Sequence, residues 1–146
     1  MITDYFEAGK AITAKLKTAL TEVPPDCFFT PSSLADMLEI SQPSLAIHVL
    51  YARDVVTRAT VGRGEKTKID QQWMVVLAVR NPGAQLGDTT EIQDEAGLII
   101  PKLLTALQGW QPTEWMQPLG RVPSLPAGYS SAFAYYPFTF EGRINL

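Results

Sequence analysis

The chain has 146 residues, 46% of them hydrophobic and 18% charged. That is the make-up of one soluble globular domain, long enough to bury roughly 70% of the surface its unfolded form exposes, so neither a disulfide nor a structural metal is needed to hold a core. A net charge of −3 argues against sequence-independent affinity for nucleic acid or an anionic membrane, and a single histidine, His48, with a single cysteine, Cys27, excludes any metal centre built from clustered His or Cys ligands.

The start, Met1-Ile2-Thr3-Asp4, has neither the basic residues nor the apolar run of a secretory signal. No later stretch approaches the roughly 20 apolar residues of a membrane span, so a reducing cytoplasm and no membrane partner are expected. Thr3 is placed to cap a helix with Asp4 and Glu7 in its first turn. Phe6, Ile12, Leu16, Ala19 or Leu20, and Val23 recur at three- and four-residue spacing, and Pro24-Pro25 ends the pattern. Ser33 and Asp36 form a capping-box pattern ahead of Leu34, Met37 and Leu38, which predicts a short second helix before Pro43 forces an extended chain.

From Ser44 to Arg58 the odd positions Leu45, Ile47, Val49, Tyr51 and Val55 are apolar, and the even ones include Ser44, His48, Asp54 and Arg58. A second run of period two places Ile69, Trp73, Val75, Leu77 and Val79 against Lys68, Asp70, Gln72 and Arg80. Gly62-Arg63-Gly64 lies between them as a turn. A hairpin turning about Arg63 sets Tyr51 opposite Val75, Val49 opposite Leu77 and Ile47 opposite Val79, so the two apolar faces coincide unless a bulge intervenes.

Asn81-Pro82-Gly83 ends that strand. Thr90 with Gln93 reads as a capping box for a helix whose stripe is Ile92, Ala96, Ile99, Leu103 and Leu107 and whose stop is Gly109. Pro101 falls inside it and predicts a kink or a restart. Strand-like pieces follow around Trp115 to Val122 and from Tyr129 onward. Phe133 and Tyr135 share one parity and Tyr136, Phe138 and Phe140 the other, so this strand either changes face near Pro137 or is covered on both faces. The whole predicts one domain, residues 1–146, of α+β class: a mostly antiparallel sheet with a long β-hairpin, packed against an N-terminal helix and a second, kinked helix.

Chemistry-bearing motifs are scarce. A catalytic His48 would need a nucleophile and a carboxylate supplied by the fold, and it reads instead as a tolerated surface or interface histidine. Cys27, beside Phe28 and Phe29, reads as a buried apolar residue without the basic neighbours of a reactive thiol. Gly62-Arg63-Gly64 lacks the strand-to-helix context of a phosphate loop, and Asp88, Glu91, Asp94 and Glu95 lack the alternating spacing of a calcium loop. Composition and motifs together point to no catalytic, cofactor or metal site.

Charge placement says more. Residues 58 to 68 carry Arg58, Arg63, Lys66 and Lys68 against Glu65, a local net of +3, whereas residues 81 to 101 hold four acids and no Lys or Arg. These charges either keep exposed loops solvated or let the basic hairpin of one subunit meet the acidic helix start of the next, a head-to-tail contact of the kind that closes rings. Trp110 and Trp115, flanking a proline-containing loop, and the aromatic last strand offer more large apolar surface than one sheet face needs, which suits an interface or a filled core.

Several segments carry a family likeness: the helix ending in Val23-Pro24, the run from Pro43 to Val49, the hairpin into Gln72–Asn81, the helix from Ala96 to Leu107, then Gly109-Trp110-Gln111-Pro112 and the aromatic closing strand. Together they resemble the tail terminator proteins of tailed phages, above all the Mu-like prophage versions. The resemblance implies a structural role: a ring, six-fold in known types, that caps the tail tube, halts its polymerisation and presents a surface to the head or neck. It implies a second copy of the chain, the tail tube protein and a head-tail neck or completion protein as partners, and no cofactor. Another neck or tail-completion protein, or a small ligand-binding α+β domain, are the alternatives.

Overall fold

The computed structural model describes residues 2–31, 43–58, 66–80, 90–130 and 132–146, with the backbone alone at Arg58 and at residues 90–93. The predicted helix around Leu34, the turn at Gly62-Arg63-Gly64 and the loop after Asn81 lie outside the described residues. Two helices, α1 (Glu7–Ala19) and α2 (Thr90–Leu107), lie over a six-stranded sheet made of β1 (Phe28–Phe29), β2 (Leu45–Arg58), β3 (Lys68–Arg80), β4 (Gly120–Val122), β5 (Gly128–Tyr129) and β6 (Phe133–Asn145). The sheet runs β1-β2-β3-β6-β4, with β5 also on β6. Among the described residues only β1 is parallel to its neighbour, and this two-residue strand, opposite Ile47 and His48, has no signal in the sequence pattern. The class is α+β, as expected.

Helix α1 forms where the three-four spacing placed it, although Thr3 does not cap it. No side chain caps it; just ahead of the first turn the Asp4 carboxylate accepts the Phe6 N–H at 3.0 Å and the Lys10 ammonium at 2.5 Å. Ile12, Leu16 and Leu20 are fully buried, each stabilising the fold by about 1.5–3 kcal/mol relative to exposure. Gly9 faces the sheet too, and its lack of a side chain lets α1 sit directly on the Trp73 ring. Helix α2 presents Ala96, Ile99, Leu103 and Leu107 to the same core. It runs unbroken through Pro101, so no restart occurs. Pro101 and Gly97, whose carbonyl loses its partner, are both on the exposed side, so the orphaned carbonyl is not shut into the core. Gly109, at φ +76°, ends the helix as predicted, and its N–H bonds the Leu119 carbonyl at 2.8 Å.

The hairpin differs from its predicted register in an instructive way. Near its open end Ile47 faces Leu77, Val49 faces Val75 and Tyr51 faces Trp73, each two positions away from the pairing expected of an unbroken hairpin about Arg63. Two bulges, at Ala52 and Thr57, restore the expected sum only at the last pair, Arg58 with Lys68. Two one-residue insertions cancel in parity, so the apolar faces still coincide near the open end. Between the bulges the faces are exchanged. Val55 stands opposite Asp70, and Asp54 turns to the helix side opposite Gln71, where it accepts the Tyr5 hydroxyl. Bulges on β2 also suit its position, since among the described residues its outer edge is paired only at Ile47 and His48.

Strand β6 pairs with β3 over thirteen residues without a shift, so the aromatic strand does not change face at Pro137. Phe140 lies under the helices, and Phe133, equally buried, lies on the opposite face. The stretch from Trp115 predicted as strand is extended only at Gly120–Val122. Before that, turns are held by bonds such as Met116 N–H to Thr113 O and the Gln111 amide to Met116 O.

Candidate interaction surface

Three contacts set the direction of α2 against α1. Lys102 pairs with Glu22, the Lys15 ammonium sits 5.5 Å above the Trp110 ring, and Trp115 Nε1 donates to Glu7 at 3.0 Å. Rising numbers after α2 thus meet falling numbers along α1, and the two elements are antiparallel. The start of α1 lies at the hairpin-tip end, because the Tyr5 carbonyl accepts the Gln71 amide and its hydroxyl reaches Asp54. The start of α2, a turn and more beyond Lys102, therefore lies at the far end. With α1 about 20 Å long, the basic tip and the acidic helix start are separated by most of the molecule and cannot neutralise each other within one chain.

Of the basic residues, Lys66 and Lys68 are exposed at that tip, Arg58 is the register partner of Lys68, and Arg63 lies outside the described residues. At the other end Asp94 and Glu95 are exposed on α2, Glu91 is described by its backbone alone, and Asp88 lies outside the described residues. Leu98 stands beside these acids and is 71% exposed. The two tryptophans do not simply point outward. Each is half-buried against the core and fastens the loop after α2 to α1 through its contact with Glu7 or Lys15.

Trp115 also divides two hollows. A polar one of about 750 Å³ is bordered by Thr3, Glu7, Gln111, Thr113 and Glu114. The other, about 570 Å³, is formed by Ile2, Leu146, Asn145, Lys66 and Trp115, so mostly apolar walls carry one cation. It was not legible in the sequence, because Ile2, Lys66, Trp115 and Leu146 meet only when the C-terminal residue pairs with Thr67, whose N–H donates to its carbonyl at 2.7 Å.

The ladder at the tip end of the other sheet face is polar and satisfied. Arg143 makes two bonds to Asp70, at 2.8 and 3.1 Å, and the Gln72 side chain links Arg53 to Glu141. His48 requires a correction: it is not on the surface but 4% exposed, stacked on Phe29 at 5.3 Å. Burial pushes its pKa down to about 4, so the ring is neutral near pH 7 and offers no charge to a partner. Cys27 is buried as expected, and burial, then the nearby Asp26 carboxylate, pushes its thiol pKa up. Among the described residues no three His, Cys, Asp or Glu side chains converge to hold a metal ion, and no helix is long and apolar enough to cross a membrane.

A family model described as phage tail terminator protein matches residues 7–146. The chain belongs to the phage tail terminator family. Membership makes it a structural phage tail protein, a component of the virion tail. A chain in a solved structure described as the virion of a native gene transfer agent particle is similar in fold, with a TM-score of 0.55, 12% identity, and coverage of 98% of this chain and 100% of that one. No curated protein sequence matches.

Proposed function

We propose that this tail terminator acts without catalysis, as a subunit of a ring, six-fold as in known types, that caps the finished tail tube. It halts tube polymerisation and presents a surface to a head-tail neck or completion protein. Its partners are copies of itself, the tube protein and that neck protein, met in the host cytoplasm during assembly. The observation that carries this reading beyond family membership is the segregation of charge: Lys66 and Lys68 at one end, Asp94 and Glu95 at the other, with the length of α1 between them. Such a polarity is satisfied by a head-to-tail neighbour, and repetition of that contact closes a ring when the rotation permits.

The test is genetic and structural together. Deleting the gene should give tails of uncontrolled length, and supplying the protein should restore the normal length, with a ring visible at the tube end by electron microscopy. Tails of normal length that lack heads would place the protein in the neck instead and would refute the capping role.

A further inference from the structure

We infer that the contact closing the ring seats Leu98 of one subunit in the hollow formed by Ile2, Trp115 and Leu146 of the next, with Lys66 at the rim facing Asp94 and Glu95. The inference rests on the ring reading and gives it a specific joint. Leu98 is a branched apolar side chain left 71% exposed, whereas Ile99 and Leu103 on the same helix are buried. Its neighbour Gly97 has nothing within 4 Å of where a Cβ would stand, so no contact inside the chain requires glycine there, and the helix around Leu98 is open to close approach. At the other end, the hollow of about 570 Å³ has room for an isobutyl group, and Leu146 is itself 54% exposed on its wall.

The charges match the shapes. The apolar knob lies beside two exposed carboxylates, and the apolar hollow carries one exposed ammonium at its edge. Knob and hollow cannot meet within one molecule. Lys102, one turn after Leu98, is held at Glu22, while Trp115 is held at Glu7, so the two features lie on the order of 25 Å apart along the helices. A knob and a pocket at opposite ends of the same chain make a heterologous joint, which repeats through successive copies. The occupant is therefore a second copy of this chain.

Leu98 and Lys66 are both exposed, so their variants should fold with an unchanged melting temperature. With the full chain, assembly alone and on purified tail tubes is followed by native mass spectrometry and electron microscopy. Leu98→Asp should weaken ring formation by at least about 30-fold. Lys66→Glu should weaken it about tenfold, with Glu95→Lys in the same chain recovering most of the loss. Rings formed by Leu98→Asp as readily as by the wild type would overturn the joint while leaving the ring intact, as would rings that form normally but fail to cap, which would assign the hollow to the tube protein. A wild-type protein that stays monomeric both alone and with tubes would overturn the ring reading itself.

Discussion

Gly9→Ala offers the sharpest test of how α1 is seated. A Cβ at this position would stand 2.4 Å from two atoms of the Trp73 ring, about 1 Å closer than ordinary van der Waals contact allows. The ring has little freedom to yield. It is 5% exposed, its Nε1 donates to the Gln71 side chain at 2.8 Å, and that amide in turn holds the Tyr5 carbonyl at 3.0 Å. Tyr51 and Phe6 meet it edge-on at 5.5 and 6.3 Å. Overpacking of this kind costs about 3 kcal/mol at the upper end of its usual range, and replacing a helical glycine by alanine returns at most about 1 kcal/mol. The net loss of about 2 kcal/mol should lower the melting temperature by roughly 4–8 °C in a chain of this length. Gly97→Ala is the control, since an added Cβ there meets nothing, and it should raise the melting temperature by roughly 2–4 °C. Thermal unfolding followed by circular dichroism reads both. A Gly9→Ala protein as stable as the wild type would refute the close seating of α1 on Trp73.

Removing the Tyr5 hydroxyl with Tyr5→Phe should cost about 1–3 kcal/mol in urea unfolding. It takes the bond from Asp54, whose Oδ1 already has no hydrogen-bond partner among the described residues. Because the folded pKa of His48, about 4, lies below its unfolded value of 6.5, the unfolded chain binds more protons between them. Stability from this residue is therefore complete above pH 6.5 and falls as pH drops toward 4, by about 3 kcal/mol, and His48→Leu should flatten that part of the pH profile. An unchanged slope would show that His48 titrates freely. The Cys27 thiol, buried and with its pKa raised, should react with a disulfide reagent in the native protein far more slowly than in denaturant.

Local rules carried much of the fold. Period two located Leu45–Arg58 and Lys68–Arg80 as strands, three-four spacing located both helices, and Gly109 ended α2 where a residue free to adopt positive φ was needed. These features depend on the backbone geometry of a few consecutive residues, so they are written in consecutive residues. The family likeness was legible as well, because it rests on the order and character of such segments.

Coverage and register were decided by tertiary structure. Nothing local marks Ala52 and Thr57 as bulges, because a bulge is a mismatch between two strands and exists only once they pair. The same holds for His48, which sits on a nominally polar parity yet is buried because Phe29 arrives on a parallel strand from nineteen residues upstream. The acidic and basic segments could be read from composition. Their separation by the length of α1, and the hollow built from residues 2, 66, 115 and 146, follow only from the antiparallel docking of α2 on α1 and from the last residue pairing with Thr67. Sequence periodicity reports how a segment meets a surface, while the identity of that surface is a long-range choice made by packing the whole chain at once.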